Sequence, residues 1–174
     1  MLWLFRLNTN FPILTMKRIL FICLGNICRS PAADGIMRHL VSEQGLGDLF
    51  VIDSAGIGSW HVGQLPDHRM RRHGERHGYV FDHHARQFSA ADFDRFDLIA
   101  VMDQENYYDV SRQARSDADR RKIIKMSDYL QRHPNQQSIP DPYYGGDRDF
   151  EYVIELLEDA CSGLLQKLTK MGNL

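Results

Sequence analysis

ILFICLGNICRS, Ile19 to Ser30, decides the fold: five apolar residues in a row, a short loop containing Gly25, then a Ser-Pro step at Ser30 and Pro31 that opens a helix. An unbroken apolar run of this length predicts a strand buried on both faces of a parallel sheet, because a half-solvated strand would alternate polar and apolar residues. Downstream, Ile36, Met37, Leu40 and Val41 recur at helical spacing and carry the predicted helix to about residue 44. Further out, Leu49 to Ile52 and Leu98 to Met102 read as two more short strands, and Ile123 with Ile124 as a weaker fourth. The final helix is the clearest, with Phe150, Val153, Ile154, Leu157, Cys161, Leu164 and Leu168 on one face. Strands alternating with helices imply an α/β fold with a parallel sheet, in which ligands bind beyond the carboxyl ends of strands, where the 23–30 loop falls.

The chain has 174 residues, enough for one domain and one core. Its 43% hydrophobic and 25% charged residues are those of an ordinary globular protein, and no repeat or biased linker divides it. A formal net charge of −2 supplies no broad positive field, which argues against a nucleic-acid binder. Three cysteines do not make a disulfide framework and fit a reducing compartment, so the cytoplasm is expected. Residues 1–15 are apolar in part, but Arg6, Asn8, Asn10 and Pro12 interrupt them and no cleavage pattern follows. They read as an extension outside a single domain over residues 16–174. No apolar run approaches the roughly 18 to 20 residues of a membrane-spanning helix.

Within the loop, Cys23 places a thiol at a strand end and Arg29 places a guanidinium six residues later at a helix start. Backbone N–H groups of such a loop form an anion-binding concavity, the helix N-terminus adds partial positive charge, and a planar guanidinium can grip two phosphate oxygens. The same field favours a thiolate at Cys23, a ready nucleophile. The plain alternative is a small buried cysteine ending a strand. Against that, an arginine at a helix start opposes the dipole unless an anion sits there. Other phosphate loops fit less well: no Gly-Lys-Ser/Thr ending is present, and AGIGSWH at 55–61 lacks the third glycine of a dinucleotide fingerprint.

The segment CLGNICRS closely resembles the signature of the low-molecular-weight protein tyrosine phosphatases, and DPYYG at Asp141 to Gly145 matches that family's second loop. The likeness runs from about Lys17 to Leu168 and includes DSAG at 53–56, HHARQ at 83–87 and VMDQEN at 101–106. It implies a four-stranded parallel sheet with helices on both faces and the phosphate loop at the end of the first strand. It also implies Cys23 as nucleophile, Arg29 as phosphate binder and Asp141 as general acid. Chemistry supports the last role, since expelling a phenolate is helped by a delivered proton; alone, an Asp-Pro step would read as a turn opener. Leu24, Gly25, Asn26, Ile27 and Cys28 complete the loop. Asn26, Ser30, Ser54 and His83 match positions of a polar network that holds it. Ser54, placed just past a strand, and Ser30, at a helix cap, also have plain structural explanations. Ile27, Trp60, Tyr143 and Tyr144 match the walls of a cleft for a flat phenyl ring.

The implied partners are phosphotyrosine-containing proteins, with no cofactor and no metal, and the chain is expected to be a monomer or weak homodimer. Protein arginine phosphatases of related sequence carry threonine where Ile27 stands, so an apolar residue points toward tyrosine. Thiol-dependent arsenate reductases need relay cysteines, whereas Cys161 lies on an apolar helix face. A phosphotyrosine-binding module without turnover would more naturally have lost one of the three reactive residues. The resemblance also puts Cys28 near Cys23, where the two could form a reversible disulfide under peroxide; a buried structural cysteine is the alternative. His73 and His77, four apart, lack the HExxH pattern and read as a solvated helix face. Asp103 reads as a helix N-cap, and residues 112–122, of mixed charge, as solvated surface. The departures from the family pattern are residues 1–15 and His68, where proline is frequent.

Overall fold

The apolar run forms β1, Lys17–Cys23, in the computed structural model of the chain, which describes residues 15–171. The expected extension over residues 1–15 falls outside the described residues except for residue 15. Strands β2 (Phe50–Gly56), β3 (Leu98–Val101) and β4 (Ile123–Lys125) complete one sheet of order β2-β1-β3-β4, parallel throughout. β1 is therefore central, which is why its residues are apolar on both faces. Ile19, Phe21 and Cys23 face one core and Leu20 and Ile22 the other.

The second strand is longer than its apolar run. Asp53 to Gly56 continue β2 because they pair in register with Leu20 to Cys23 of β1, so Ser54 lies inside the strand and not beyond it. Backbone pairing with a central neighbour, and not side-chain hydropathy, sets where this strand stops. At the register's end Cys23 sits beside Gly56.

Among the described residues six α-helices surround the sheet: α1 (Arg29–Glu43), α2 (His68–Arg76), α3 (Asp92–Arg95), α4 (Gln104–Gln113), α5 (Asp117–Arg121) and α6 (Asp147–Met171). Ile36 and Met37 of α1 and the stripe Phe150, Val153, Ile154, Leu157, Cys161 and Leu164 of α6 close the core on the Ile19–Phe21 face. Phe93 of α3 and Val110 of α4 close the other. Each fully buried apolar side chain of this size contributes about 1.5–3 kcal/mol. Among the described residues no helix is long and apolar enough to cross a membrane.

Two surface expectations are corrected. His73 is buried, stacked on Phe150 and bonded by Nδ1 to Glu151 and Nε2 to Asp147 of α6, because α2 packs its histidine face against α6. Within residues 112–122, Asp119 is buried, where Arg115 donates to it from both its backbone N–H and its guanidinium.

Another buried carboxylate, Asp159 of α6, accepts the N–H groups of Gln131 (3.0 Å) and Arg132 (2.9 Å) and lies 3.2 Å from His133 Nδ1. Burial opposes its ionisation, but the Arg132 N–H, His133 and the Gln131 N–H outweigh it and hold the carboxyl below its ordinary range. Such a group stabilises the fold above its unfolded value near 3.9 and loses that contribution as pH falls through the lower folded value. Asp159→Asn, which keeps an acceptor but no charge, is expected to cost about 1–2 kcal/mol at pH 7. The gap in urea midpoints should close as the pH drops below about 4; a gap that persists there would refute the charge-based account.

Candidate active site

Five residues carry the chain from Cys23, the last of β1, to Arg29, the first of α1. Asn26 among them adopts the left-handed backbone region at φ +56°, which a non-glycine residue enters only with compensation. The compensation is a fully bonded carboxamide: Asn26 Nδ2 donates to Ser30 Oγ and to Ser54 Oγ, both at 2.9 Å, and Oδ1 accepts the Arg86 N–H at 2.9 Å. The loop carbonyls of Cys23, Leu24 and Ile27 are taken by the N–H groups of Ile57, Gly58 and Asp67. Gly56 makes room, since a Cβ there would meet Asn26 N and Gly25 C at 3.0 Å.

The mouth of α1 has no side-chain cap bond and no acidic residue in its first turn. Its N–H groups and the positive end of its dipole are thus available to an anion in the loop. Cys23 Sγ lies in the same bowl, 3.0 Å from Ser30 Oγ.

Arg29 is 2% exposed and is held by three partners from distant parts of the chain. Nη1 donates to Asp103 Oδ2 at 2.5 Å and to the Ile139 carbonyl at 3.1 Å, and Nη2 donates to Asp141 Oδ2 at 2.9 Å. Nε is buried and unpaired among the described residues, so the guanidinium retains a donor. Burial works against its charge, but Cys23, Asp141 and Asp103 more than offset it and keep the guanidinium cationic. Asp103 fills the N-cap role expected of it, with Oδ1 accepting the Asn106 N–H at 2.8 Å, and its second oxygen aims Arg29.

Asp141 is 41% exposed in its side chain, and Oδ1 accepts the Tyr143 N–H at 3.1 Å. The carboxylate lines the cavity, tied to Arg29 by one oxygen and to its own turn by the other.

Cys23, Leu24, Gly25, Ile27, Cys28, Arg29, Trp60, Asp141, Tyr143 and Tyr144 line one cavity of about 320 Å³. All ten were candidates from the sequence. Asn26, Ser30 and Ser54 lie buried beneath the loop, joined as described. His83 stands apart from them, its ring nitrogens 3.8 Å from Asp34 Oδ2 and 3.7 Å from Asp53 Oδ1. Burial, and next the neighbouring Cys23, pushes the Cys28 thiol up, which keeps Cys28 protonated. Cys23, Cys28 and Cys161 are all free thiols, and Cys161 is buried in the core as its helix face predicts.

Sequence reasoning missed His61, which joins the cavity wall, and the Ile139 carbonyl, which has no residue signature. It also missed Arg86, although HHARQ contains it, and gave Asp103 only its capping role.

Trp60 is 68% and Tyr144 98% exposed, and the Tyr143 and Tyr144 rings meet edge to face at 5.0 Å. The site is thus a bowl with the Cys23 thiol and the Arg29 guanidinium at its base, the Asp141 carboxylate at its rim and an aromatic entrance.

The sequence pattern of the family described as Low molecular weight phosphotyrosine protein phosphatase matches residues 18–173. The low molecular weight phosphotyrosine protein phosphatase of Sus scrofa is 42% identical over 154 residues, 87% of this chain and 96% of that protein. The low molecular weight protein-tyrosine-phosphatase of Streptomyces coelicolor is 41% identical over 149 residues, 85% of this chain and 91% of that one. A crystal structure of a protein tyrosine phosphatase from Entamoeba histolytica superposes with a TM-score of 0.86 at 42% identity, covering 91% of this chain and 99% of that one.

Proposed function

This chain belongs to the low molecular weight phosphotyrosine protein phosphatase family, and from that premise we propose that it hydrolyses phosphotyrosine in proteins through a cysteinyl-phosphate intermediate. The observation that carries this reading is the convergence of Cys23, Arg29 and Asp141 on one cavity, with Asp141 brought to Arg29 across 112 residues of chain.

In this scheme the phosphoryl group rests on the loop N–H groups and Arg29 at the buried base of the cavity, where they offset its negative charge. The Cys23 sulfur attacks phosphorus and forms an S–P bond while the bond from phosphorus to the tyrosine oxygen breaks. Asp141 gives its proton to that leaving oxygen. A water molecule then attacks the phosphocysteine, Asp141 takes its proton, the S–P bond breaks, and inorganic phosphate leaves with the thiolate restored.

Ser30, 3.0 Å from Cys23, supports the thiolate as both entering and leaving group. Trp60, Tyr143 and Ile27 line the cavity and offer apolar and aromatic surface to a phenyl ring, which favours a phenyl phosphate over phosphoserine. The scheme needs no residue from a second copy, which favours a monomer or weak homodimer, and three free thiols fit a cytoplasmic setting.

The test is phosphate release from a phosphotyrosine peptide and from phosphoarginine, side by side in EDTA. Faster turnover of the phosphotyrosine peptide is expected. Preference for phosphoarginine would keep the chemistry but refute the role given to Ile27, and turnover of neither would refute the reading.

A further inference from the structure

We infer that Arg86 is a positioning residue for this reaction: its main-chain N–H fixes the direction of a hydrogen-bond relay that runs through Asn26 and Ser30 and ends on the Cys23 sulfur. The inference rests on the phosphatase reading above only for the identity of the nucleophile's substrate.

The relay follows from which groups can donate. A hydroxyl can donate or accept, so Ser30 and Ser54 would tolerate the Asn26 carboxamide in either orientation. A backbone N–H can only donate. The Arg86 N–H, 2.9 Å from the carboxamide, therefore requires Oδ1 on its own side and turns Nδ2 toward both serines. Ser30 Oγ then accepts from Asn26, and its single proton is left to give. Cys23 Sγ at 3.0 Å is the nearer taker, with the Ala55 carbonyl at 3.4 Å the other. Were the carboxamide reversed, Ser30 would give that proton to Asn26 and turn a lone pair toward the sulfur, which opposes a thiolate.

What holds that N–H in place is the rest of Arg86. Its carbonyl accepts the Gly56 N–H at 2.9 Å, and Phe88 N–H donates to the Gly56 carbonyl at 2.8 Å, so the segment lies along the end of β2. The guanidinium reaches back as a clamp. Nε and Nη2 donate to Asp53 Oδ2 on β2 at 3.0 and 2.9 Å, and Nη1 donates to Asp92 Oδ2 on α3 at 3.1 Å and to the Gln87 carbonyl at 3.4 Å. Asp92 is buried, so the clamp is anchored in the core. Without it Asp53 and Asp92 lose their common cation and the 82–88 segment is freed to shift by the few tenths of an ångström that decide a hydrogen bond.

The experiment uses the whole protein and two variants, Arg86→Met and Arg86→Lys. Cys23 alkylation by iodoacetate at pH 6, located by tandem mass spectrometry, reads the thiolate without any substrate. Turnover of a phosphotyrosine peptide and urea unfolding are measured beside it. Arg86→Met is expected to slow alkylation and kcat together by about five- to tenfold with KM within about twofold, and Arg86→Lys to recover part of both. A folded Arg86→Met protein with wild-type alkylation overturns the inference, as do losses that only follow the unfolded fraction. Should Arg86→Met not fold, Asp92→Asn, which weakens one arm of the clamp, must slow alkylation in the same direction; a wild-type rate there overturns the inference too. Wild-type protein that alkylates readily yet fails to turn over the peptide would instead refute the phosphatase reading and leave the relay intact.

Discussion

Cys23→Ser is expected to lower kcat on a phosphotyrosine peptide by at least about 10⁴-fold, the scale reached when a covalent nucleophile is removed. The sulfur is nearly buried and touches Ser30 Oγ at 3.0 Å, and a hydroxyl fits the same space, so the bowl should keep its shape. What is lost is the nucleophile itself. A serine hydroxyl stays protonated near neutral pH and is a far weaker nucleophile than a thiolate. Arg29 and the loop N–H groups remain, so binding of the phosphopeptide should be retained and the variant should hold substrate without turning it over. Single-turnover rates and isothermal binding titrations check both halves of the prediction. Turnover above about 1% of the wild type would mean that another group attacks phosphorus.

Asp141→Asn should slow a phenolic substrate by about 10² to 10⁴, or roughly 3 to 5 kcal/mol of barrier, which is the range for a positioned general acid. Asparagine can still accept the Tyr143 N–H that Asp141 Oδ1 accepts at 3.1 Å, so the turn should survive. It cannot deliver a proton, and it loses the ion pair with Arg29 Nη2. The two losses separate by leaving group. A nitrophenyl phosphate, whose phenolate leaves readily unprotonated, should suffer less in the first step and then stall at hydrolysis of the phosphocysteine, because the same carboxylate is missing as base. A burst of nitrophenolate equal to the enzyme concentration is the expected signature. Equal loss on both substrates with no burst would show that Asp141 acts by holding Arg29 and not by moving a proton.

Much of the fold was legible because its signals are local. Ile19 to Cys23 are apolar on both faces because β1 has neighbours on both sides and helices above and below. Phe150 to Leu164 repeat at helical spacing because α6 lays one face on that sheet. Where the reading failed, a long-range partner overrode the local pattern. Asp53 and Ser54 are polar, yet they extend β2 because β1 pairs with them. His73 looks like a surface residue until α6 supplies Glu151 and Asp147 to bond both of its ring nitrogens. Within the site, ten of the eleven residues around the cavity were recognisable from two short motifs and a tryptophan, His61 being the exception. The groups that aim them were not, since a carbonyl such as that of Ile139 and a main-chain N–H such as that of Arg86 belong to any residue type.

The sequence by itself determined the strand, loop and helix from Lys17 to Glu43, and with them a thiol and a guanidinium at the mouth of a helix, because backbone preferences and N–H presentation depend on neighbours along the chain. Only the tertiary structure decided that Asp103, Ile139 and Asp141, between 74 and 112 residues from Arg29, all reach one guanidinium, and that Arg86 reaches Asn26 across 60. Those meetings depend on strand order and register in the sheet, which backbone pairing and burial settle for the whole chain at once and which no short stretch of residues encodes.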